Sequence, residues 1–362
     1  MRQITATRAF VNGALAGPTN VTWDASGTIT GVSAIKSSEA EFDALLAPGF
    51  IDLQVNGFDL FNVSLADAGQ WSQVDQRLLK TGVTSWCPTL VSAPLDALSE
   101  SLAQIIQQIA IRKSSTGSAI TSILGAHLEG PFLGAAIGAH HKESVVDIDL
   151  RWISELPACV VLMTLGAEQK DVEAAIGLLR KMGVTVSIGH TRATEQEILL
   201  AKQAGAQMVT HLYNAMSGVH HRDPGVALVA LTDDEIYASI IVDLEHVSKR
   251  AVQLAFLAKP NRMILVSDSV QSNSDHAPRL KDGTLAGSVL TMDQAIRNAV
   301  LHCSVSLAQA LASATRNPAN VLGLVDRGEI SVGKRADLVL LGNDLTVIKT
   351  VSNGLSNIAD ND

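Results

Sequence analysis

Between Pro48 and about Asp326, apolar β-rich runs alternate with longer helical patterns, and this alternation restricts the chain to βα units built around a parallel sheet. The runs are FIDLQV (50–55), VTSWCPTL (83–90), SILGAHLE (122–129), VVLMTLG (160–166), VTVSIGH (184–190), QMVTHLY (207–213), YASIIVD (237–243) and MILVSD (263–268). Eight strands close a (β/α)8 barrel, and the span is near the usual barrel size of about 250 residues. The intervening helices are legible too. Val172, Ala175, Ile176 and Leu179 follow the i, i+3, i+4, i+7 spacing of one buried stripe, and Thr194 with Glu197 and Ser306 with Gln309 have capping-box spacing. Residues 1–47 stand outside the alternation and read as short strands around turns such as Asp24-Ala-Ser-Gly27. Residues 328–350 (GEISVGKRADLVLLGNDLTVIKT) read the same way. Isolated hairpins are marginal in water, so the two ends are expected to pair. The expected fold is therefore α/β: a (β/α)8 TIM barrel over 48–327, with a small β-sandwich domain formed by 1–47 plus 328–362.

The 27 Lys+Arg against 36 Asp+Glu leave a formal charge of −9, which lacks the basic stripe a nucleic-acid partner requires. Cys87, Cys159 and Cys303 lie far apart without a CxxC pair, so neither a disulfide framework nor a zinc ribbon is indicated. The N-terminus has no signal-peptide-like apolar stretch, and no segment has about 18 uncharged apolar residues in a row. The expectation is a cytoplasmic protein with no membrane partner. Cys87 reads as a small buried hydrophobe, and Trp71 and Trp86 as core or interface residues.

In a barrel the reactive groups sit at the C-terminal ends of the strands. Here those ends supply Gln54 and Asn56, His127 and Glu129, His190, His211, Asp243 and Asp268. One histidine at a strand end is usually a satisfied core residue. Two successive strands ending in histidine, with Glu and Asp on neighbouring strands, point elsewhere. Glu129, His190 and His211 offer one oxygen and two nitrogens, the open three-ligand set of a catalytic divalent ion. Asp268, on the last strand, is placed to accept the proton of an attacking water and pass it to a leaving group. Its other reading is a helix N-cap in Ser267-Asp268-Ser269.

Ten stretches carry a resemblance: PGFIDLQVNG (48–57), HLEGPFL (127–133), GAH (138–140), SIGHT (187–191), THLYNAM (210–216), RDPG (222–225), VDLEHV (242–247), VSDS (266–269), LAGSVLTM (285–292) and NPANVLGL (317–324). In this order and spacing the chain resembles the N-acetylglucosamine-6-phosphate deacetylases of the amidohydrolase superfamily, from Pro48 to the C-terminal ADLVLL. The resemblance implies metal-dependent hydrolysis of the acetamide of an N-acetylamino sugar 6-phosphate, with a water activated by the metal as nucleophile. By position, Glu129, His190 and His211 match the family's metal ligands, and Asp268 matches its general base and acid. His140 matches a sugar contact that polarises the acetamide oxygen. Asn214 and Ala215 match phosphate contacts, Arg222 a phosphate-binding arginine and His246 a further sugar or phosphate contact. The resemblance also implies a homodimer in which the arginine can come from the partner subunit. Side-chain chemistry agrees: the scarce cations cluster at His140-His141-Lys142, at His220-His221-Arg222 and at His246, and the planar fork of Arg222 suits phosphate. Lys142 and His141 read as rim residues.

Two departures matter. Many amidohydrolases carry His-x-His after the first strand and a bridging lysine on the fourth; here the first strand ends Gln54-Val55-Asn56 and the fourth ends VLMTLG without lysine. One divalent ion per subunit is therefore expected, zinc first, with ferrous, manganese or cobalt ions also suited to the donors. Gln54 and Asn56 either hydrogen-bond the metal's water or satisfy strand-end backbone. Phe58-Asp59-Leu60 replaces a more usual Gly-rich pair. The alternatives are a deacetylase of N-acetylgalactosamine 6-phosphate or of another N-acylated amine, and a non-catalytic sugar-phosphate-binding barrel; a base kept beside a full ligand set argues against the last.

Overall fold

The computed structural model describes residues 2–115 and 117–357; residues 1 and 358–362 of the expected terminal unit lie outside the described residues. Eight parallel strands form the barrel wall: Phe50–Val55, Val83–Val91, Ala126–Glu129, Val160–Leu165, Thr185–Ile188, Met208–Val209, Tyr237–Ile240 and Met263–Leu265. Each pairs in parallel with the next in chain order. The eighth strand is too short to close the ring by itself. Closure is made just beyond it, where Val55 bridges Ser269, Asp268 N donates to Gln54 O at 2.9 Å and Asn56 N donates to Ser269 O at 2.9 Å.

Most strands stop before their apolar run does, and the cause is conformational. His190, His211 and Asp268 have φ of 49°, 32° and 48°, in the left-handed region that ends a strand. The third run is divided at Gly125, whose φ of 149° and close approach to Cys159 O exclude a side chain. The helices follow the sequence reading: Val172, Ala175, Ile176 and Leu179 are buried, and both capping boxes form.

The two chain ends share one sheet, in the order Leu355–Asn357, Val347–Ser352, Leu338–Leu341, Phe42–Pro48, Arg2–Val11, Thr19–Trp23, Ile29–Ala34. The period of two along these strands sorts side chains between two cores. Ala44, Leu46, Leu338 and Leu340 join Ile4, Val21 and Trp23 in a small cluster, while Leu45, Ala47, Val339 and Leu341 face the barrel core. This small β domain is thereby fastened to the barrel through alternate residues of Phe42–Pro48 and Leu338–Leu341.

Cys87, Trp71 and Trp86 are buried in the barrel core. Phe61 stacks edge-on to Trp71 with centroids 5.1 Å apart, and this aromatic contact anchors the hairpin Gly57–Phe58/Phe61–Asn62 that contains Phe58-Asp59-Leu60.

Inside the barrel, Asp52 Oδ1 accepts from Gln54 N and Ser267 N, both at 3.2 Å, and ties the first strand to the exit of the eighth. Burial pushes its carboxyl up to about 6 from 3.8. A raised folded pKa means that the group's favourable contribution is complete below about 4 and is lost as pH rises through about 6. Asp52→Asn can keep Oδ1 toward both amides without the charge. The variant is therefore expected to match the wild type near pH 4 and to gain up to about 2–3 kcal/mol at pH 8. Denaturant melts at both pH values check this; a variant that loses stability at pH 8 would contradict it.

Candidate active site

Asn56, Glu129, His190, His211 and Asp268, all at the strand exits, converge on the floor of a cavity of about 630 Å³ at the C-terminal mouth of the barrel. Glu129, the last residue of the third strand, is buried and lies between the two histidines. Its Oε1 is 3.2 Å from His190 Nε2 and 3.0 Å from His211 Nε2, and the two imidazole nitrogens are 3.0 Å apart. A tetrahedral ion with bonds of about 2.0–2.1 Å holds its donors about 3.3 Å apart, so the triangle is close to the size a divalent cation needs. Tautomer chemistry agrees with this. His190 Nδ1 lies 3.1 Å from Ile137 O, and a carbonyl can only accept, so the proton sits on Nδ1 and Nε2 presents its lone pair to the triangle. Burial opposes charge on Glu129, but when the neighbouring imidazoles of His190 and His211 are protonated their hydrogen bonds and charges outweigh it and hold the carboxyl well below its usual range. His140 also offers a nitrogen within 4.8 Å of Glu129 and His190, but its Nδ1 accepts from Ser92 N at 3.3 Å, so the tighter set is Glu129, His190 and His211.

Asp268 sits beside this triangle, buried. Its Oδ1 accepts from Gln54 Nε2 at 2.9 Å and from Asn56 Nδ2 at 2.8 Å, while the same Gln54 Nε2 donates to Glu129 Oε1 at 2.8 Å. Gln54 is thus a neutral fork between two carboxylates. The packing explains the choice of amides: a third carboxylate here would add repulsion, and an aliphatic residue would leave two acceptors unmet. Burial and the charge of Glu129 push the Asp268 carboxyl up to about 8. Asn56 Oδ1 and His211 Nδ1 are buried without a hydrogen-bond partner among the described residues.

His140 reaches the cavity from the loop after the third strand, its ring edge-on to His190 with centroids 4.4 Å apart. Burial, reinforced by His190, lowers its pKa to about 3, so it is neutral, and with Nδ1 accepting from Ser92 its proton is on Nε2. The loop is compact because Gly138, at φ 60°, lies where a Cβ would stand 3.3 Å from both Ala215 Cβ and His190 Cε1.

Asn214, Ala215 and His246 line the same cavity. His246 is held by Asp243, whose Oδ2 takes the ring Nδ1 at 2.6 Å and whose Oδ1 caps the amides of Glu245 and His246 at 2.9 and 2.8 Å. Arg222 lies elsewhere. It is exposed in the 218–224 loop and does not line the cavity of its own chain. His127, also at a strand end, is a core residue: its Nε2 meets Thr164 Oγ1 at 2.9 Å, and burial lowers its pKa to about 4.

Two residues at the site carried no signal of their own in the sequence. Arg192 lines the cavity, and Glu168 organises the loops around it by accepting from Ala135 N and Arg192 N at 2.8 Å each and from the Thr191 hydroxyl. Both follow ordinary helix and loop patterns, and only their tertiary neighbours mark them.

A parallel barrel with ion-sized donors and a carboxylate at its C-terminal mouth defines a metal-dependent hydrolase of the amidohydrolase type, and the comparisons agree. Residues 45–356 match the amidohydrolase family, and the chain belongs to it. Among its relatives, the N-acetylglucosamine-6-phosphate deacetylase of Bacillus subtilis is 34% identical over 342 residues, 88% of this chain and 86% of the relative. The N-acetylgalactosamine-6-phosphate deacetylase of Escherichia coli O157:H7 is 33% identical over 347 residues, 89% of this chain and 90% of the relative. Of solved structures, the N-acetylglucosamine-6-phosphate deacetylase of Thermotoga maritima superposes with a TM-score of 0.90 at 29% identity, covering 98% of this chain and 99% of that one. No helix among the described residues is long and apolar enough to cross a membrane.

Proposed function

We propose that this chain hydrolyses the acetamide of N-acetylglucosamine 6-phosphate, releasing acetate and glucosamine 6-phosphate, with one divalent ion, zinc by preference, held by Glu129, His190 and His211. The observation that carries the reading is the convergence of those three donor atoms beside a buried carboxylate on the floor of the cavity. An ion bound there supplies Lewis acidity and eases deprotonation of the attacking water. The chain's own groups do the rest. Asp268 takes the water's proton and returns it to the nitrogen of the leaving amine. Gln54 and Asn56 hold the carboxylate in place for both transfers. His140, neutral and with its proton on Nε2, donates to the acetamide oxygen as negative charge grows on it. Asn214, Ala215 and His246 bind the sugar and its phosphate. Arg222, exposed and outside its own cavity, suits a homodimer in which it serves the neighbouring site. We read the protein as cytoplasmic, and residues 1–47 with 328–362 as a domain separate from 48–327, a division supported by the two hydrophobic clusters.

The similarity to the E. coli N-acetylgalactosamine-6-phosphate deacetylase, at nearly the same identity, favours the galacto epimer as the second reading. Acetate release from both sugar phosphates, measured side by side on chelator-treated protein before and after zinc is added back, tests the proposal. Metal-dependent release from the gluco epimer is expected; release from neither would remove the function. Arg222→Ala is expected to cost about 10- to 100-fold more in kcat/KM on the phosphorylated sugar than on N-acetylglucosamine, the scale of a lost charge-assisted hydrogen bond. Equal losses on both substrates would take Arg222 out of phosphate recognition.

A further inference from the structure

We infer that Arg192 is an anion-reading residue of the cavity, supplied by the chain's own loop and directed at the phosphate of the substrate. The inference rests on the reading of the cavity as an amino-sugar-phosphate site, and it adds a residue that neither the sequence motifs nor the resemblance assigned. Arg192 follows His190 and Thr191 at the exit of the fifth strand. Its backbone is fixed on two sides: Thr191 N donates to Ala215 O at 3.1 Å, and Arg192 N donates to Glu168 Oε1 at 2.8 Å. The first contact sets Arg192 beside Asn214 and Ala215. The second has a consequence for the side chain. An ordinary surface arginine this close to a carboxylate would pair with it, yet Glu168 accepts from the amides of Ala135 and Arg192 and from the hydroxyl of Thr191, and not from the guanidinium. The guanidinium makes no hydrogen bond or ion pair with any described residue, and Arg192, an exposed residue, is part of the cavity lining.

Charge makes that position informative. The chain is acidic, with a formal charge of −9, and the floor of the cavity holds two carboxylates, Glu129 and Asp268. Among the described residues lining the cavity, Arg192 alone carries a permanent positive charge, since Arg222 and Lys142 lie outside it. A dianionic phosphate entering a site with an acidic floor needs a cation on the wall. A guanidinium offers it a planar pair of donors, and a pinned backbone reduces the ordering cost to the side chain alone.

The test compares metal-loaded wild type with Arg192→Ala and Arg192→Lys on N-acetylglucosamine 6-phosphate and on N-acetylglucosamine. The expected result for Arg192→Ala is a KM for the phosphorylated sugar raised about 10- to 100-fold with kcat within about threefold, and a penalty at least tenfold smaller on the unphosphorylated sugar. Arg192→Lys should recover part of the loss. An unchanged KM in Arg192→Ala, or equal penalties on both sugars, overturns the inference. If the wild type releases acetate from neither sugar, the proposed function fails on its own. Arg192 is then judged by calorimetric titration with inorganic phosphate: binding that is present in wild type and lost in Arg192→Ala supports an anion subsite, whereas equal or absent binding in both overturns it.

Discussion

Asp268→Asn is expected to lower kcat by about 10²–10⁴, the range of a lost general acid-base group, while metal content and product affinity stay near those of the wild type. The hydrogen bonds around Asp268 explain why the loss should be confined to turnover. Gln54 Nε2 and Asn56 Nδ2 both donate to Oδ1. An asparagine placed with Oδ1 toward them keeps both contacts and the volume of the side chain. What it cannot do is take a proton. Burial and the neighbouring Glu129 charge push the Asp268 carboxyl upward, which suits it to hold the proton between its two transfers. Steady-state kinetics, metal analysis and titration with glucosamine 6-phosphate on one preparation separate the terms. Turnover within a few fold of wild type would remove Asp268 from the reaction.

His190→Ala and His211→Ala are each expected to lose the metal, and activity with it. Each substitution deletes one corner of a triangle whose edges are 3.0–3.2 Å and leaves two donors where three are needed to hold an ion. His190→Ala has a second effect, because its Nδ1 proton also ties the ring to Ile137 O in the loop that carries His140. Metal content measured after purification in zinc-containing buffer, together with melting temperature with and without zinc, checks both variants. The wild type should gain stability from added metal in proportion to RT ln(1 + [L]/Kd), and the variants should not. Full occupancy in either variant would contradict the ligand assignment.

The two classes of prediction draw on different parts of the chain. Strand positions were legible as apolar runs because a parallel strand covered on both faces must be apolar along its length. Where each strand stopped was less legible. The runs that contain His190, His211 and Asp268 read as apolar-then-polar text, but the backbone turns left-handed at those residues, and hydropathy does not register φ. Gln54 and Asn56 were visible as polar residues at a strand end, yet the donation of Gln54 to both Glu129 and Asp268, and of Asn56 to Asp268, depends on residues 75, 214 and 212 positions away. Arg222 stood out through its motif and lies outside the cavity; Arg192, with no motif of its own, lies inside.

The sequence by itself determined the alternation that makes a barrel, the pairing of the chain ends, and the residue types of one carboxylate, two imidazoles and a further aspartate at strand exits. Those follow from local periodicity and composition, which act over neighbouring residues. Only the tertiary structure decided that three donor atoms stand within 3.2 Å of one another, that two amides lock the aspartate, and that Arg192 rather than Arg222 lines the cavity. These are distances between loops far apart in the chain, set by barrel closure and side-chain rotamers, which no local pattern encodes.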